Sequence, residues 1–311
     1  MRYLLILIII PVLFYGCSSS GGFLSSGEKD LKDGKYIEAV RKFSQAIAET
    51  PYNSVIYYSR GKAYANLGEH EKAVKDYTSA IRIKNDFANA YHNRGVEYLA
   101  LNKYDEAQKD FNKVIELNPA NAMAYFSRGY INVMLQKYED ALNDYTHAIR
   151  INPVYEEAYV NRGNLRADIE DHEGAIFDYT KALEIDSEDA NLYFNRGYSK
   201  GMLGGYEEAV DDFSMVVELE PAFVDAYFIR GDTYRILEEY RGAIKDYSTI
   251  IRIDSANAKA WYKRGMTYIE INRTDEACRD LKKAGKLGHI DAYEQIQNFC
   301  GPRKNKITSK D

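Results

Sequence analysis

Seven arginines recur at intervals of 34 residues: Arg60, Arg94, Arg128, Arg162, Arg196, Arg230 and Arg264, each followed by glycine. Sixteen residues after each arginine stands an aspartate: Asp76, Asp110, Asp144, Asp178, Asp212, Asp246 and Asp280. A guanidinium presents its N–H donors in a planar fork that fits a carboxylate with two parallel bonds. Two uses fit this pattern: an inner row of charge that grips a ligand carboxylate, or a register device in which each arginine is consumed by its own aspartate. The one-to-one match of the two series favours the second. Catalytic chemistry finds no support. There is no His-Glu-x-x-His, no Cys-x-x-Cys and no phosphate loop. The histidines, His70, His92, His147, His172 and His289, are scattered. His70 and His172 fall where other copies carry Tyr104, Tyr138, Tyr206 and Tyr240, which reads as substitution in packing. No catalytic residue, metal ligand or small-molecule cofactor is expected.

The elements that position these charges follow from the same period. Three residues before each arginine stands an aromatic: Tyr57, Tyr91, Tyr125, Tyr159, Tyr193, Tyr227 and Trp261. Twelve after each glycine comes an alanine: Ala73, Ala107, Ala141, Ala175, Ala209, Ala243 and Ala277. Four further on come Tyr77, Phe111, Tyr145, Tyr179, Phe213, Tyr247 and Leu281, and Pro119, Pro153 and Pro221 close three copies. Apolar and small residues such as Ala73, Tyr77, Ala80 and Ile81 recur at helical spacing. Each copy therefore reads as two antiparallel helices, with the glycine and alanine where they approach most closely. Arginine and aspartate then lie level across the hairpin, and each aspartate is also level with the arginine of the next copy. The expectation is a ladder of Arg–Asp pairs along the array.

This signature resembles the tetratricopeptide repeat, over residues 54–291, as seven units of 34 residues. The resemblance implies an all-α chain, a right-handed α-solenoid of antiparallel helix pairs. A degenerate first repeat is expected over 23–53, where Gly27, Tyr36, Ala39, Phe43, Ala46 and Pro51 fall in phase but Ser26 replaces the arginine. Stacked units need capped ends. A capping helix is expected over 292–300, from an amphipathic segment beginning at Asp291, before a basic polar tail over 301–311. Two columns depart from the family, which usually has Leu where the arginines stand and leaves the aspartate position variable.

The resemblance also places a binding face. The first helix of each unit would line a concave groove, through the places just before the arginine and just after the glycine. Asn93, Asn161 and Asn195 stand before arginines, and Asn164 follows a glycine. They resemble the asparagine ladders with which some arrays of this family hold an extended peptide; plain polar surface is the alternative. Phe126, Tyr130, Met134, Phe194, Tyr198 and Met202 would form an apolar patch in the central units, unless several are packing between first helices. Lys259 and Lys263 fit the last part of a carboxylate clamp, but Ile229 stands where its middle asparagine belongs, so no clamp is expected.

The amino end carries a separate signal. Met1-Arg2, an apolar run from Tyr3 to Tyr15 and then Gly16-Cys17 resemble a bacterial lipoprotein signal, although Phe14 and Tyr15 depart from its usual residues. Residues 1–16 would be the signal peptide, Cys17 the lipidated residue and 17–22 a flexible tether. Ser18 leans, by resemblance, toward the outer membrane. A plain secretory signal or an uncleaved anchor is the alternative. With Cys17 lipidated, Cys278 and Cys300 remain, and an even pair in an exported protein suggests a disulfide that pins the cap; two free buried thiols would be the alternative. The net charge of −6 carries no long basic block, so no nucleic-acid partner is expected. Together these features describe an envelope scaffold, anchored to the membrane through its lipid, whose partners are other proteins or extended peptides. A self-associating array and an enzyme built on a helical frame are the rival readings.

Overall fold

The computed structural model describes residues 20–301. The signal segment, Cys17 and the tail from 302 onward lie outside the described residues. Those described form 17 α-helices in tandem with no strand among them. The chain divides into two compact units, one ending at Ile151 and the other beginning at Asn152. The first unit holds α1 (Ser20–Lys32), α2 (Tyr36–Glu49), α3 (Ser54–Asn66), α4 (His70–Ile83), α5 (Ala88–Ala100), α6 (Tyr104–Leu117), α7 (Ala122–Met134) and α8 (Tyr138–Ile151). The second holds α9 (Glu156–Asp168), α10 (His172–Ile185), α11 (Ala190–Met202), α12 (Tyr206–Leu219), α13 (Val224–Ile236), α14 (Tyr240–Ile253), α15 (Ala258–Glu270), α16 (Thr274–Lys286) and α17 (Asp291–Phe299). Within each unit every helix packs against its sequence neighbours.

The hairpins are tight because of what lies at their centres. A Cβ on Gly61 would stand 2.7 Å from the Tyr77 ring, and one on Gly231 would stand 2.8 Å from the Tyr247 ring. The missing side chain is thus the space into which the second-helix aromatic fits. Ala73, Tyr77 and their equivalents are essentially fully buried. Between the two helices of each pair one turn residue takes a left-handed φ. Glycine fills that place at Gly34, Gly68 and Gly204, and side chains accept it at Asn102, Gln136, Glu170, Glu238 and Asn272.

Each arginine grips the aspartate of its own repeat with two prongs. Nε donates to Oδ2 at 2.7–3.0 Å and Nη2 to Oδ1 at 2.5–3.0 Å. The preceding aromatic lies under the guanidinium, 4.8–5.8 Å from ring centroid to Cζ. The link to the previous repeat differs from the one expected, because the aspartate does not bridge both neighbours. The third nitrogen, Nη1, donates instead to a small polar side chain two residues beyond the previous repeat's aspartate position. Arg60 meets Ser44, Arg94 Thr78, Arg128 Asn112, Arg196 Thr180, Arg230 Ser214 and Arg264 Ser248, at 2.7–3.2 Å. The reason is geometric. Nε and Nη2 are spent on the aspartate, so the nitrogen that reaches the previous repeat is Nη1, and it meets the side chain two residues past the aspartate position there.

The ends depart from the pattern in their own ways. At α1 and α2 the charges change places: Lys42 stands where an aspartate would be, donates to Ser26 Oγ and pairs with Asp30 at 2.7 Å. The segment 17–22 is not a tether throughout, since α1 begins at Ser20 and takes in Gly21 and Gly22. Phe23 and Leu24 pack beside Ala39 and Phe43, and that burial carries the helix back into the serine–glycine run. At the other end α17 packs on α16, Tyr293 Oη donates to Gly285 O at 2.9 Å, and a disulfide joins Cys278 to Cys300.

The aspartate side chains of the seven pairs are at most 7% exposed, while the arginines keep 8–25%. Breaking one pair should therefore cost the low end of the range for buried ion pairs. Asp246→Ala is expected to lower stability by about 3 kcal/mol, because it strands the Arg230 guanidinium. The double change Arg230→Leu/Asp246→Leu, which removes both charges, should recover more than half of that loss. Chemical denaturation followed by helical circular dichroism measures both. Equal losses in the single and double variants would show that the pair itself, rather than the stranded charge, carries the stability.

Candidate face for partner binding

The first helices of successive repeats meet through the residues expected to line a groove, but many of those residues bind one another. In the first unit Asn93 Nδ2 donates to Tyr58 Oη at 3.2 Å. In the second, Tyr179 Oη donates to Asn164 Oδ1 at 2.8 Å, and Asn195 Nδ2 approaches the same oxygen at 3.4 Å. Asn161 turns back on its own helix and donates to Glu157 O at 2.8 Å. The four amides therefore do not stand as a row with every donor and acceptor open.

The apolar patch divides in the same way. Phe126 and Phe194 are half-buried: Phe126 tilts against Tyr145 at 5.8 Å, and Phe194 packs between Phe213 at 5.8 Å and Phe223 at 5.2 Å. Both were expected to face a groove and instead fill space between elements. The place two before the arginine is rotated toward the second-helix aromatic, and a ring there is drawn under it. Tyr130 and Met134 on α7, and Tyr198 and Met202 on α11, are the residues left outside, 40%, 44%, 49% and 57% exposed. In each pair the two residues are one helical turn apart and share a face.

Three clefts open on these faces. One of about 620 Å³ lies among α1, α3 and the start of α5, with Tyr58, Lys62 and Asn66 in its wall. A smaller one of about 180 Å³ follows it, lined by Lys62, Asn66, Asn93 and Glu97. Glu97 is buried there and pairs with His70 Nδ1 at 2.7 Å. His70 is thus a hydrogen-bond partner of Glu97, not a mere packing substitute for tyrosine. The third cleft, of about 660 Å³, lies between α9 and α11 and includes Asn164, Asp168, Asn195 and Tyr198. At the far end of the second unit Lys263 Nζ binds both oxygens of Asp232, at 2.7 and 2.8 Å, and Lys259 lies over the Phe228 ring at 4.7 Å. Lys263 is thus already engaged by a carboxylate of the chain itself.

Away from these clefts, the repeats in mid-chain alter the ion-pair column. Tyr64, Tyr98 and Tyr234 cover the outer side of their guanidinium at 5.8–5.9 Å. The equivalent places hold Asn132, Arg166 and Lys200, which bind Asp144, Asp178 and Asp212 at 2.8–2.9 Å. A polar cleft of about 580 Å³ opens beside Asn132, floored by Arg128 and Asp144 and edged by the stacked Tyr125 and His147 rings. Sequence reasoning passed over this column. Its signal was the change from tyrosine to asparagine, arginine and lysine at one phase of the repeat. No group of side chains suited to holding a metal ion occurs among the described residues.

With this geometry in hand, the chain can be set beside known proteins. Family profiles described as "Tetratricopeptide repeat" match residues 54–87, 88–121, 111–143 and 258–287, and one described as "TPR repeat" matches 163–204 and 231–272. The chain belongs to the tetratricopeptide repeat family. A search of the curated proteins found no match. Among solved structures, the C-terminal part of a TPR repeat-containing protein from Cytophaga hutchinsonii is similar, with a TM-score of 0.67 and 16% identity over 76% of this chain and 97% of that one. The pilF protein of Pseudomonas aeruginosa gives 0.59 and 14% over 69% and 97%. YrrB, described as a TPR protein with an unusual peptide-binding site, gives 0.53 and 22% over 60% and 97%. At these identities the likeness is one of fold.

The buried second-helix tyrosines should titrate later than exposed ones. Burial raises Tyr77, Tyr145, Tyr179 and Tyr247 well above the ordinary value of about 10, and for Tyr247 donation to Asp232 adds to it. Burial pushes Tyr155 up to about 12. A raised folded value means that the unfolded chain loses these protons first. The tyrosines' contribution is whole below about pH 10 and fades as pH climbs toward the folded values. The urea midpoint should therefore fall steadily above about pH 10. Phenolate absorbance should show a group of tyrosines that ionises only as helicity is lost. Ionisation of every tyrosine near pH 10 with helicity intact would contradict this.

Proposed function

We propose that this chain is a lipid-anchored scaffold that holds extended segments of other envelope proteins against the exposed faces of its first helices. One observation carries the reading. Tyr130 with Met134, and Tyr198 with Met202, are exposed large side chains on first helices, and the second pair lies at the side of a cleft. Apolar side chains paired in this way favour partner binding, and methionine adapts its shape to what it meets. The peptide-binding site in the description of YrrB is consistent with such a use of this fold. Asparagine amides alongside can both donate to and accept from a peptide backbone.

Support for the anchor comes from the amino end, where the charged start, apolar run and Gly16-Cys17 lead into Ser18. Acylation at Cys17 with more than one chain would hold the protein firmly, since each buried CH₂ contributes roughly 0.8 kcal/mol. The protein would then work at the envelope, on the periplasmic face of the outer membrane. No helix among the described residues is long and apolar enough to cross a membrane.

Two measurements test the two halves of this proposal. The mature protein should retain a partner from envelope extract, and Tyr130→Ala/Tyr198→Ala should lose at least nine-tenths of it at equal helicity. Equal retention by both proteins would move the binding site off these faces. In cells fed an alkyne fatty acid, the full-length protein should take up label and sediment with membranes, while Cys17→Ser does neither. An unlabelled wild-type protein would end the lipoprotein reading and leave the scaffold reading in place.

A further inference from the structure

Comparable places recur along the first-helix faces, and each treats charge differently. Such a place is formed by the residue after one repeat's glycine and the residue before the next repeat's arginine. At α13 and α15 these are Asp232 and Lys263. The chain's own ammonium sits there on a carboxylate, which also accepts from Tyr247 Oη at 2.6 Å. At α3 and α5 they are Lys62 and Asn93, and the buried acid close by, Glu97, is paired with His70. In both places a nitrogen of the chain's own side chains lies against the acid.

Between α9 and α11 the carboxylates have no such partner among the described residues. The two residues are Asn164 and Asn195, and the carboxylates lie just beyond, on Asp168 one turn along α9 and on Glu170 in the following turn. Both are exposed, and neither makes an ion pair among the described residues. The positions equivalent to His70 and Glu97 hold His172 and Ser199. His172 Nδ1 and Ser199 Oγ are both buried with no hydrogen-bond partner, and Ser199 is 0% exposed. A buried polar atom without a partner is costly unless something else satisfies it. These six residues line the one cleft of about 660 Å³, with Tyr198 and Met202 at its side.

We infer that this cleft receives a lysine or arginine side chain of a bound peptide. The Asp168 and Glu170 carboxylates attract the cation to the mouth. The Ser199 hydroxyl and His172 Nδ1 accept its N–H groups. Its methylene stem lies along Tyr198 and Met202, as long cationic side chains lie on apolar surface. The guest does here what Lys263 does at Asp232. The inference rests on the peptide-binding role proposed above and adds to it the chemistry of one bound residue.

The test uses blocked nonapeptides of alanine, serine and phenylalanine with lysine, arginine or glutamine at the centre, and the small probe Nα-acetyl-lysine methylamide. Peptide affinity is read by calorimetry on the whole mature protein. The probe is followed by NMR at the backbone amides of Asn195 and Ser199. The lysine and arginine peptides should bind at least tenfold more tightly than the glutamine peptide. Asp168→Asn/Glu170→Gln should cut that preference below twofold and leave the glutamine peptide unaffected. Asn195→Lys, which provides an internal ammonium, should do the same. The probe should give saturable shifts that its norleucine analogue does not. Equal affinity for lysine and glutamine peptides, with no saturable shift from the probe, overturns the cation site and leaves peptide binding standing. Saturation by the probe with no peptide bound supports the cation site and removes the peptide-binding role. Silence from both removes the two together.

Discussion

The fold depends on one guanidinium per repeat. Its two prongs close the hairpin by holding an aspartate on the second helix, and its third nitrogen ties that hairpin to the one before. The glycine beside it is part of the same device. A Cβ on Gly163 would come within 3.2 Å of the Asp178 Cβ, so the bare backbone is what lets the carboxylate approach. The desolvation cost of these charges is real. Burial raises the Asp110 carboxyl above its ordinary value even with Arg94 upon it. Such a pair adds less to stability than an apolar contact would, and more to the definition of geometry. An aromatic on one side and a bidentate acid on the other leave the arginine few other positions.

Much of this was legible because a repeat supplies its own replicates. Seven arginines and seven aspartates in constant phase imply a shared geometry that one copy would not. The hairpin, the close glycine and the cap could all be read from spacing. What escaped was direction. Ser44, Thr78, Asn112, Thr180, Ser214 and Ser248 form a column of small polar residues as regular as the aspartates, and each receives the third nitrogen. Spacing along one helix shows that such a column exists, but not which neighbour it faces. The same gap explains Phe126 and Phe194. They lie on the right helices, but at an angle where a neighbouring aromatic draws the ring inward. The pairing of Cys278 with Cys300 was open because sequence separation sets no distance between two helices.

The columns that do not repeat mark where the scaffold has been adapted. The residue after the glycine runs from Lys62 through Tyr130 and Asn164 to Asp232, while the hairpin recurs unchanged around it. Arg166 and Lys200 put a second cation on an aspartate that already has one. The hairpin is closed by residues that never change, so neighbouring positions can vary in charge and bulk without loss of the fold. Exposed carboxylates at Asp168 and Glu170 and unpartnered atoms at His172 and Ser199 belong to this variable part.

The contact from six of the arginines to a hydroxyl or amide of the preceding repeat has a consequence for how the gene can change. These six acceptors stand in one phase of the repeat, so an arginine brought to another's place finds an equivalent acceptor. Excision of residues 190–223 would bring Arg230 to Thr180 in place of Ser214, and the seam would match its neighbours. Loss of 33 or 35 residues would offer no acceptor at that seam. Recombination between copies is therefore tolerated in whole multiples of the period, and the array can lengthen or shorten while its remaining faces are inherited intact.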